Sequence, residues 1–198
     1  MKCKVLALIV CLFSSLAAHA QQDSLNLNHY RDLQKPKVSL EKRGHLTYVV
    51  GTVLVNAPRE KVWEILVDYD KAPEIFNNLS LCQVIGREGE VKLLRQLVKP
   101  GGPIKFDYVV NLTENKPKSI SWKRRSGSFR EVTGSWELEP IAVASSKLAI
   151  TSVTYSIHLD GGLALPPWLL ASQVKGYLPS VLQALKARVE SSIKETNT

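Results

Sequence analysis

Cysteine is scarce in this sequence, and most of it lies near the N-terminus. Of the three cysteines, Cys3 and Cys11 fall within the first twenty residues, and Cys82 stands alone in the rest of the chain. A single cysteine cannot form an intramolecular disulfide, and no C-x-x-C pair is available for zinc or thiol redox chemistry. The sequence therefore predicts a free Cys82 thiol and excludes a fold held together by disulfides.

Histidine and recognisable catalytic motifs are also lacking. Beyond the first twenty residues, His29, His45 and His158 stand in no metal-ligand or catalytic-triad context. The chain contains no G-x-S-x-G, H-E-x-x-H or P-loop motif. Asp68 and Asp70 are typical turn residues at the end of a helix. We therefore predict no catalytic residue, no metal site and no cofactor. Enzymatic activity stays open, although the lack of a catalytic motif argues against it.

No apolar run is long enough to cross a bilayer, which takes about 18 or more residues. The longest run, residues 5–16, is shorter and is interrupted by Ser14 and Ser15. Two lysines precede it, and an Ala-His-Ala sequence ending at Ala20 follows it. This is the pattern of a signal peptide rather than of a membrane anchor. Residues 1–20 are therefore predicted to be cleaved, which makes the mature protein periplasmic or secreted.

Positive charge is in excess, with a formal net charge of +8. Nucleic acid is not expected as a partner of an exported protein. Five cations, Lys116, Lys118, Lys123, Arg124 and Arg125, surround one predicted hairpin. Two interpretations stay open: the hairpin makes a transient contact that docks a cavity mouth onto an anionic membrane surface, or it is a solvated hairpin that protects a sheet edge.

The chain is organised as a leader and one domain. Residues 21–37 are polar and of mixed charge, which is typical of a flexible leader. Residues 38–193 are long enough to build one hydrophobic core. A concentration of β-branched residues predicts a first strand over residues 45–56. Pro58 then begins a helix that runs to about Tyr69, and a second, short helix ends near Phe76.

The middle of the chain predicts a β-meander. Segments 81–87 and 91–98 flank a glycine-containing turn, and residues 104–113 alternate between apolar and polar side chains. Further strands are predicted near residues 120–122, 132–138 and 148–159, followed by an amphipathic helix over about 167–193. Antiparallel strands closed by one long helix are typical of an α+β fold in which the helix covers a curved sheet.

Several stretches of the sequence resemble one known superfamily. They are the segment 51–70 (GTVLVNAPREKVWEILVDYD), the PEIF sequence at 73–76, the GSWELEP sequence at 134–140 after Phe129-Arg130, and LPPWLL at 165–170 with Leu178-Pro179. Together they resemble the START-like (SRPBCC) superfamily of polyketide cyclases/dehydrases and coenzyme Q-binding proteins. The resemblance implies a helix-grip fold, in which a curved antiparallel sheet of about seven strands wraps around the long C-terminal helix and encloses an apolar cavity.

The expected cavity side chains are large residues on the inward parity of the strands and on the apolar face of the last helix. Arg95 is included because an inward guanidinium could bind a ligand carbonyl or phosphate, although an outward, solvated arginine is the alternative. A solid core without a cavity also stays open. The predicted ligand-binding residues are Tyr69, Phe76, Arg95, Phe106, Tyr108, Trp122, Trp136, Tyr155, Leu170, Val174, Tyr177 and Leu178.

Three functions are compatible with this sequence. The first is an exported binding or transfer protein that holds a lipid, quinone or other apolar small molecule in its cavity. The second is an aromatase/cyclase-type enzyme acting on a hydrophobic substrate in the same cavity, which would require inward acid and base groups. The third is an envelope interaction module without a ligand.

Overall fold

The computed structural model describes residues 34–101, 103–141, 149–163 and 165–196. The chain divides into two units, Met1–Lys35 and Pro36–Thr198, and the strands and helices described below belong to the second. The predicted signal peptide and most of the predicted leader lie outside the described residues and stay predictions. Within the described ranges, no helix has the length and apolar character needed to cross a membrane.

The second unit contains eight strands and three α-helices in the described residues. In chain order they are β1 (Lys37–Arg43), β2 (Leu46–Val55), α1 (Arg59–Leu66), a 3-10 helix (Tyr69–Lys71), α2 (Ala72–Ile75), β3 (Leu79–Glu88), β4 (Val91–Gly101), β5 (Ile104–Asn115), β6 (Ser119–Gly127), β7 (Glu131–Ile141), β8 (Ile150–Asp160) and α3 (Pro167–Thr196).

All the strands belong to one antiparallel sheet in the order β1-β2-β8-β7-β6-β5-β4-β3. Strand β2 pairs with the last strand, β8, and strands β3 to β8 follow one another as a meander. The curved sheet and the long C-terminal helix confirm the predicted α+β helix-grip fold.

Strand β1 was not predicted, and it brings the number of strands to eight rather than about seven. Its sequence, KVSLEKR, is mostly polar, and every residue except Val38 is exposed. The apolar alternation is limited to Val38 and Leu40, which is too short to predict a strand. It is an edge strand that pairs with β2 through the backbone, from Lys37 opposite Thr52 to Arg43 opposite Leu46.

Helix α3 is held against the sheet by a close approach to strand β2. The buried face of the helix, Leu178, Leu182, Leu185 and Val189, is at most 1% exposed. A Cβ added at Gly51 would lie only 2.7 Å from Leu178 Cδ2 and 2.8 Å from Leu182 Cδ1. Glycine at this position therefore lets the helix reach the sheet, and this part of the interface is solid core.

A buried cation fastens the C-terminal half of α3 to the end of β2. The Lys186 ammonium donates to the Leu54 carbonyl at 2.7 Å and to Glu190 Oε1 at 2.6 Å. The same carboxylate oxygen accepts the backbone N–H of Asn56 at 2.9 Å. Because the charge is paired and its donors are used, burying Lys186 is tolerated here.

Candidate functional site

Between the sheet and the middle of α3 lies a cavity of about 150 Å³. Its walls come from α1, the 3-10 helix, α2, the following turn, strands β3 to β8 and helix α3. Most of the lining side chains are aliphatic or aromatic. The lining residues are Leu66, Tyr69, Ala72, Phe76, Asn78, Leu79, Cys82, Leu94, Gln96, Val98, Tyr108, Val110, Leu112, Ile120, Trp122, Trp136, Tyr155, Ile157, Tyr177 and Val181.

One wall of the cavity is a cluster of aromatic rings. The centroid of Tyr155 lies 4.4 Å from that of Trp136 and 5.6 Å from that of Trp122. Phe76 stacks on Trp136 at 6.3 Å. Gly134 makes room for this arrangement, because a Cβ there would lie 2.6 Å from the Trp122 ring, directly across the strand pair. The cluster offers flat apolar surface against which a ring or a hydrocarbon chain can pack.

A charged group supports the cavity from behind Tyr69. The Tyr69 hydroxyl donates to Glu114 Oε1 at 2.5 Å, and the Lys92 ammonium donates to the same oxygen at 2.5 Å. The ammonium also lies 5.2 Å from the centroid of the Tyr69 ring. Burial, followed by the hydrogen bond to the Glu114 carboxylate, raises the pKa of Tyr69. Glu114 and Lys92 do not line the cavity, so this group positions the Tyr69 ring.

The other polar groups in the wall keep their protons at neutral pH. Burial raises the pKa of the Cys82 thiol to about 11, although Gln96 Nε2 donates to its sulfur at 3.7 Å and opposes the rise. Burial likewise raises the pKa values of Tyr108 and Tyr155. These groups can donate hydrogen bonds to a bound molecule, and as neutral acids they do not act as bases.

The cavity approaches the surface where the turn after α2 meets helix α3. The lining residues Phe76, Asn78 and Leu79 on this turn are partly exposed, as are Val98 and Tyr177 opposite them. The Tyr177 hydroxyl meets the backbone of Asn78, a hydrogen bond that opposes the rise in the pKa of Tyr177 caused by burial. This contact joins the two sides of the opening.

Seven of the predicted site residues come together in the cavity wall: Tyr69, Phe76, Tyr108, Trp122, Trp136, Tyr155 and Tyr177. The other five, Arg95, Phe106, Leu170, Val174 and Leu178, are not among its lining residues. That any of these side chains binds a ligand stays a prediction.

Arg95 is placed on the outer face of the sheet. Its neighbours Leu94 and Gln96 line the cavity, so the alternation of strand β4 turns the arginine away from it. Arg95 is exposed, and its guanidinium forms a two-pronged ion pair with Asp107 at 3.0 and 2.6 Å. The predicted inward Arg95 is therefore corrected to the outward alternative.

The remaining four residues belong to solid packing beside the cavity. Phe106 stacks on Phe129 with centroids 4.7 Å apart. Leu178 fills the space above Gly51, and Leu170 and Val174 pack against the core. On the helix the residues that reach the cavity are Tyr177 and Val181, which lie four apart on a neighbouring face.

Other lining residues were not predicted. They are Leu66, Ala72, Asn78, Leu79, Cys82, Leu94, Gln96, Val98, Val110, Leu112, Ile120, Ile157 and Val181. A signal for some of them existed in the sequence, because Val110 and Leu112 share the parity of Tyr108 on strand β5. Cys82 and Gln96 are cross-strand partners in the pairing of β3 with β4, which no spacing along the chain reveals.

The cations of the basic hairpin lie at different distances from the turn after α2. The hairpin turn follows Asn115, whereas Val98 at the opening pairs with Phe106, nearer the other end of strand β5. Nine residues of strand, roughly 30 Å, separate the hairpin turn from Phe106, whereas Arg124 pairs with Val110, only four residues from Phe106. Two of the cations are also occupied: Arg125 pairs with Glu88 at 3.0 Å, and Arg124 donates to the carbonyls of Phe129 and Gly127. Contact of the hairpin with an anionic membrane surface stays a prediction.

Metal-ligating residues are dispersed in the part of the chain that the structure describes. There, no group of three or more His, Cys, Asp or Glu side chains is placed to hold a metal ion. Cys82 is buried and forms no disulfide within the same residues.

The fold has counterparts in known proteins. A solved STAR-related lipid transfer protein from Xanthomonas axonopodis (fragment 25–204) superposes with a TM-score of 0.64 at 18% identity, over 79% of this chain and 94% of that one. The Zhui aromatase/cyclase from Streptomyces sp. R1128 superposes with a TM-score of 0.61 at 17% identity, over 75% of this chain and 96% of that one. At these identities the likeness shows the START-like fold alone.

Sequence comparison identifies the family. A candidate polyketide cyclase from Streptomyces cyaneus is 28% identical over 91 residues, which cover 44% of this chain and 59% of that relative. The match thus spans less than two thirds of the relative's length. The model of the polyketide cyclase/dehydrase and lipid transport family matches residues 47–190, from strand β2 into the C-terminal part of helix α3. The chain therefore belongs to the polyketide cyclase/dehydrase and lipid transport family.

Proposed function

We propose that the protein is an exported binding or transfer protein that holds a lipid, a quinone or another apolar small molecule in its internal cavity. The observation that carries the proposal is the cavity of about 150 Å³, with its largely aliphatic and aromatic lining. Membership of a family that includes lipid transport supports it.

The physical basis is the burial of apolar surface. An unfilled apolar cavity leaves its lining atoms without packing partners on one side, which forfeits dispersion energy. A molecule that enters restores those contacts and removes its own apolar surface from water, a gain of about 25 cal/mol per Å². Binding requires little rearrangement, because the aromatic wall of Trp122, Trp136 and Tyr155 is already assembled.

The chemistry of the lining favours holding a molecule over transforming it. Its polar groups are tyrosine hydroxyls, the Cys82 thiol and the amides of Asn78 and Gln96. The raised pKa values of Tyr108, Tyr155 and Cys82 keep them protonated at neutral pH. General-base catalysis needs a group that accepts a proton near the working pH. The aromatase/cyclase alternative, suggested by the family and by several structural neighbours, therefore takes second place.

Export is part of the same proposal. The charged start, apolar segment and Ala-His-Ala sequence before Gln21 motivate it. N-terminal sequencing of material from the envelope or medium should begin at Gln21, and a mature protein that keeps Met1 would contradict export. Contact with an anionic membrane is then a transient step, which sedimentation with phosphatidylglycerol vesicles tests.

The proposal is tested by native mass spectrometry of protein purified from its own source, with organic extraction of what co-purifies. The expected result is an apolar molecule at close to one per chain. A Val181→Trp variant should lose it, because position 181 lines the cavity and the indole fills that space. Gln183→Trp is the matched control on the exposed side of the same helix. Folded wild-type protein that is consistently empty would contradict the proposal and favour an interaction module without a ligand.

A further inference from the structure

Two of the four tyrosine hydroxyls around the cavity have no hydrogen-bond partner in the described part of the chain. The Tyr69 hydroxyl donates to Glu114, and the Tyr177 hydroxyl meets the backbone of Asn78. The hydroxyls of Tyr108 and Tyr155 make no such contact with any described residue, although both side chains line the cavity. The unpartnered pair is therefore a feature of the cavity itself.

The rings that carry these two hydroxyls have apolar neighbours. Tyr108 is only 7% exposed and contacts Phe129 edge to face at 5.2 Å. Tyr155 contacts the indoles of Trp122 and Trp136. Neither hydroxyl is among the fully buried polar atoms without a partner in the described residues, so both keep contact with open space. The acceptor of a bound molecule can therefore take the place of water at both hydroxyls.

The two hydroxyls are also close enough to act on the same molecule. They belong to the wall of one small cavity, on strands β5 and β8. The two side chains are also close enough to interact electrostatically, because Tyr108 contributes to the raised pKa of Tyr155. A molecule that enters the cavity therefore has two potential donors in its wall.

The size of the cavity limits which molecule can enter it. Its volume is about 150 Å³. An engineered apolar cavity of about the same volume in another protein stays dry and binds benzene. One six-membered ring therefore fits, whereas a whole long-chain lipid or a fused polycycle does not. Any longer tail would have to leave the cavity past the partly exposed residues of its wall.

We infer that the cavity selects a molecule with a single ring bearing one oxygen acceptor, a carbonyl or hydroxyl, to which Tyr108 and Tyr155 donate. The ring packs against Trp122 and Trp136. This inference rests on the proposed binding function and narrows its ligand class from apolar molecules in general to ring compounds with an acceptor.

A matched pair of probes separates the ring from the oxygen. Acetophenone and α-methylstyrene have nearly the same shape, but acetophenone carries a C=O group where α-methylstyrene carries a C=CH₂ group. Isothermal titration calorimetry on the full chain should show binding of both compounds. In Tyr108→Phe and Tyr155→Phe the affinity for acetophenone should fall about five- to tenfold, as expected for one lost hydrogen bond, while that for α-methylstyrene stays unchanged. Tyr48→Phe, outside the cavity lining, is the control and should change neither affinity.

Folding of the variants is checked by their thermal melting without ligand. Because neither hydroxyl has a described protein partner, Tyr108→Phe and Tyr155→Phe should melt no lower than wild type. Loss of acetophenone binding in a variant that melts normally then reports the hydroxyl and not the fold.

The outcomes also distinguish this inference from the proposed function. If both probes bind but the Phe variants bind acetophenone as tightly as wild type, the hydroxyls do not select the ligand and the inference fails. If neither probe binds while palmitic acid does, the ring-size inference fails and the binding function stands. If none of the three compounds binds, the proposed function fails together with the inference.

Discussion

Tyr69 and Tyr108 line the same cavity, but their hydroxyl groups are in different chemical situations. The Tyr69 hydroxyl donates to Glu114, a carboxylate that Lys92 also approaches. The Tyr108 hydroxyl has only the cavity in front of it among the described residues. The same deletion of one oxygen atom should therefore have different effects on stability at the two positions.

Tyr69→Phe should lower the free energy of unfolding by about 1–3 kcal/mol, because a hydrogen bond to a charged group is lost. Tyr108→Phe should leave the free energy of unfolding unchanged or raise it. Urea denaturation followed by circular dichroism measures both. Equal destabilisation by the two substitutions would contradict the assignment of the Tyr69 hydroxyl as the structural one.

Cys82 gives a second prediction at this scale, because burial raises its thiol pKa to about 11 from an ordinary value of 9.0. At pH 8 the thiolate is scarce, so iodoacetamide should modify folded protein far more slowly than unfolded protein. The folded rate should climb steeply only as the pH approaches 11. A folded rate that levels off near pH 9 would contradict a buried thiol.

The raised pKa of Cys82 also determines how the free energy of unfolding changes with pH. The folded state keeps its proton to higher pH than the unfolded state, so the contribution of Cys82 is fully present below pH 9 and is lost as the pH rises through about 11. Cys82→Ala should remove this part of the alkaline loss of stability.

Among the elements, strand β5 was predictable and the cavity-facing side of helix α3 was not. Alternation along β5 correctly places Tyr108 inward, because a strand buried on one face has a strict period of two. On α3 the apolar stripe includes both Leu178 and Tyr177, and the close approach at Gly51 decides which of them meets solid core. That contact joins residues far apart in the chain, so no local pattern contains it.

Two glycines on these elements predict opposite effects of the same substitution. Gly51→Ala places a Cβ against Leu178 and Leu182, which forces the helix away from the sheet and should cost about 1–3 kcal/mol. Gly176→Ala on the exposed side of α3 meets no atom within 4 Å and should stabilise by about 0.5–1 kcal/mol through helix propensity. Melting temperatures measure both changes, and a destabilising Gly176→Ala would show that α3 is not a regular helix there.

For the whole molecule, the order of elements and the family resemblance predict the helix-grip architecture, which the fold confirms. The cavity is a different kind of property. The sheet, the helices and the turn after α2 enclose a space, and side chains fill most of it. The cavity volume is the small difference between the volume of that space and the volume of those side chains. The side chains can be read from the sequence, whereas the enclosed space depends on sheet curvature and on the seating of α3. For this reason the sequence predicts aromatic residues facing inward but leaves open whether they surround a cavity or a solid core.

The central claim, that an apolar molecule occupies this cavity, is tested most directly at Cys82, because this thiol lies in the wall. The measurement is the rate at which methyl methanethiosulfonate modifies Cys82 in folded protein, read by peptide mass spectrometry with and without saturating benzene. Benzene in the cavity should slow the modification at least about tenfold, while denatured protein reacts at the same rate in both conditions. An unchanged rate in folded protein, under conditions where benzene reaches saturation, would contradict an accessible apolar cavity at this site.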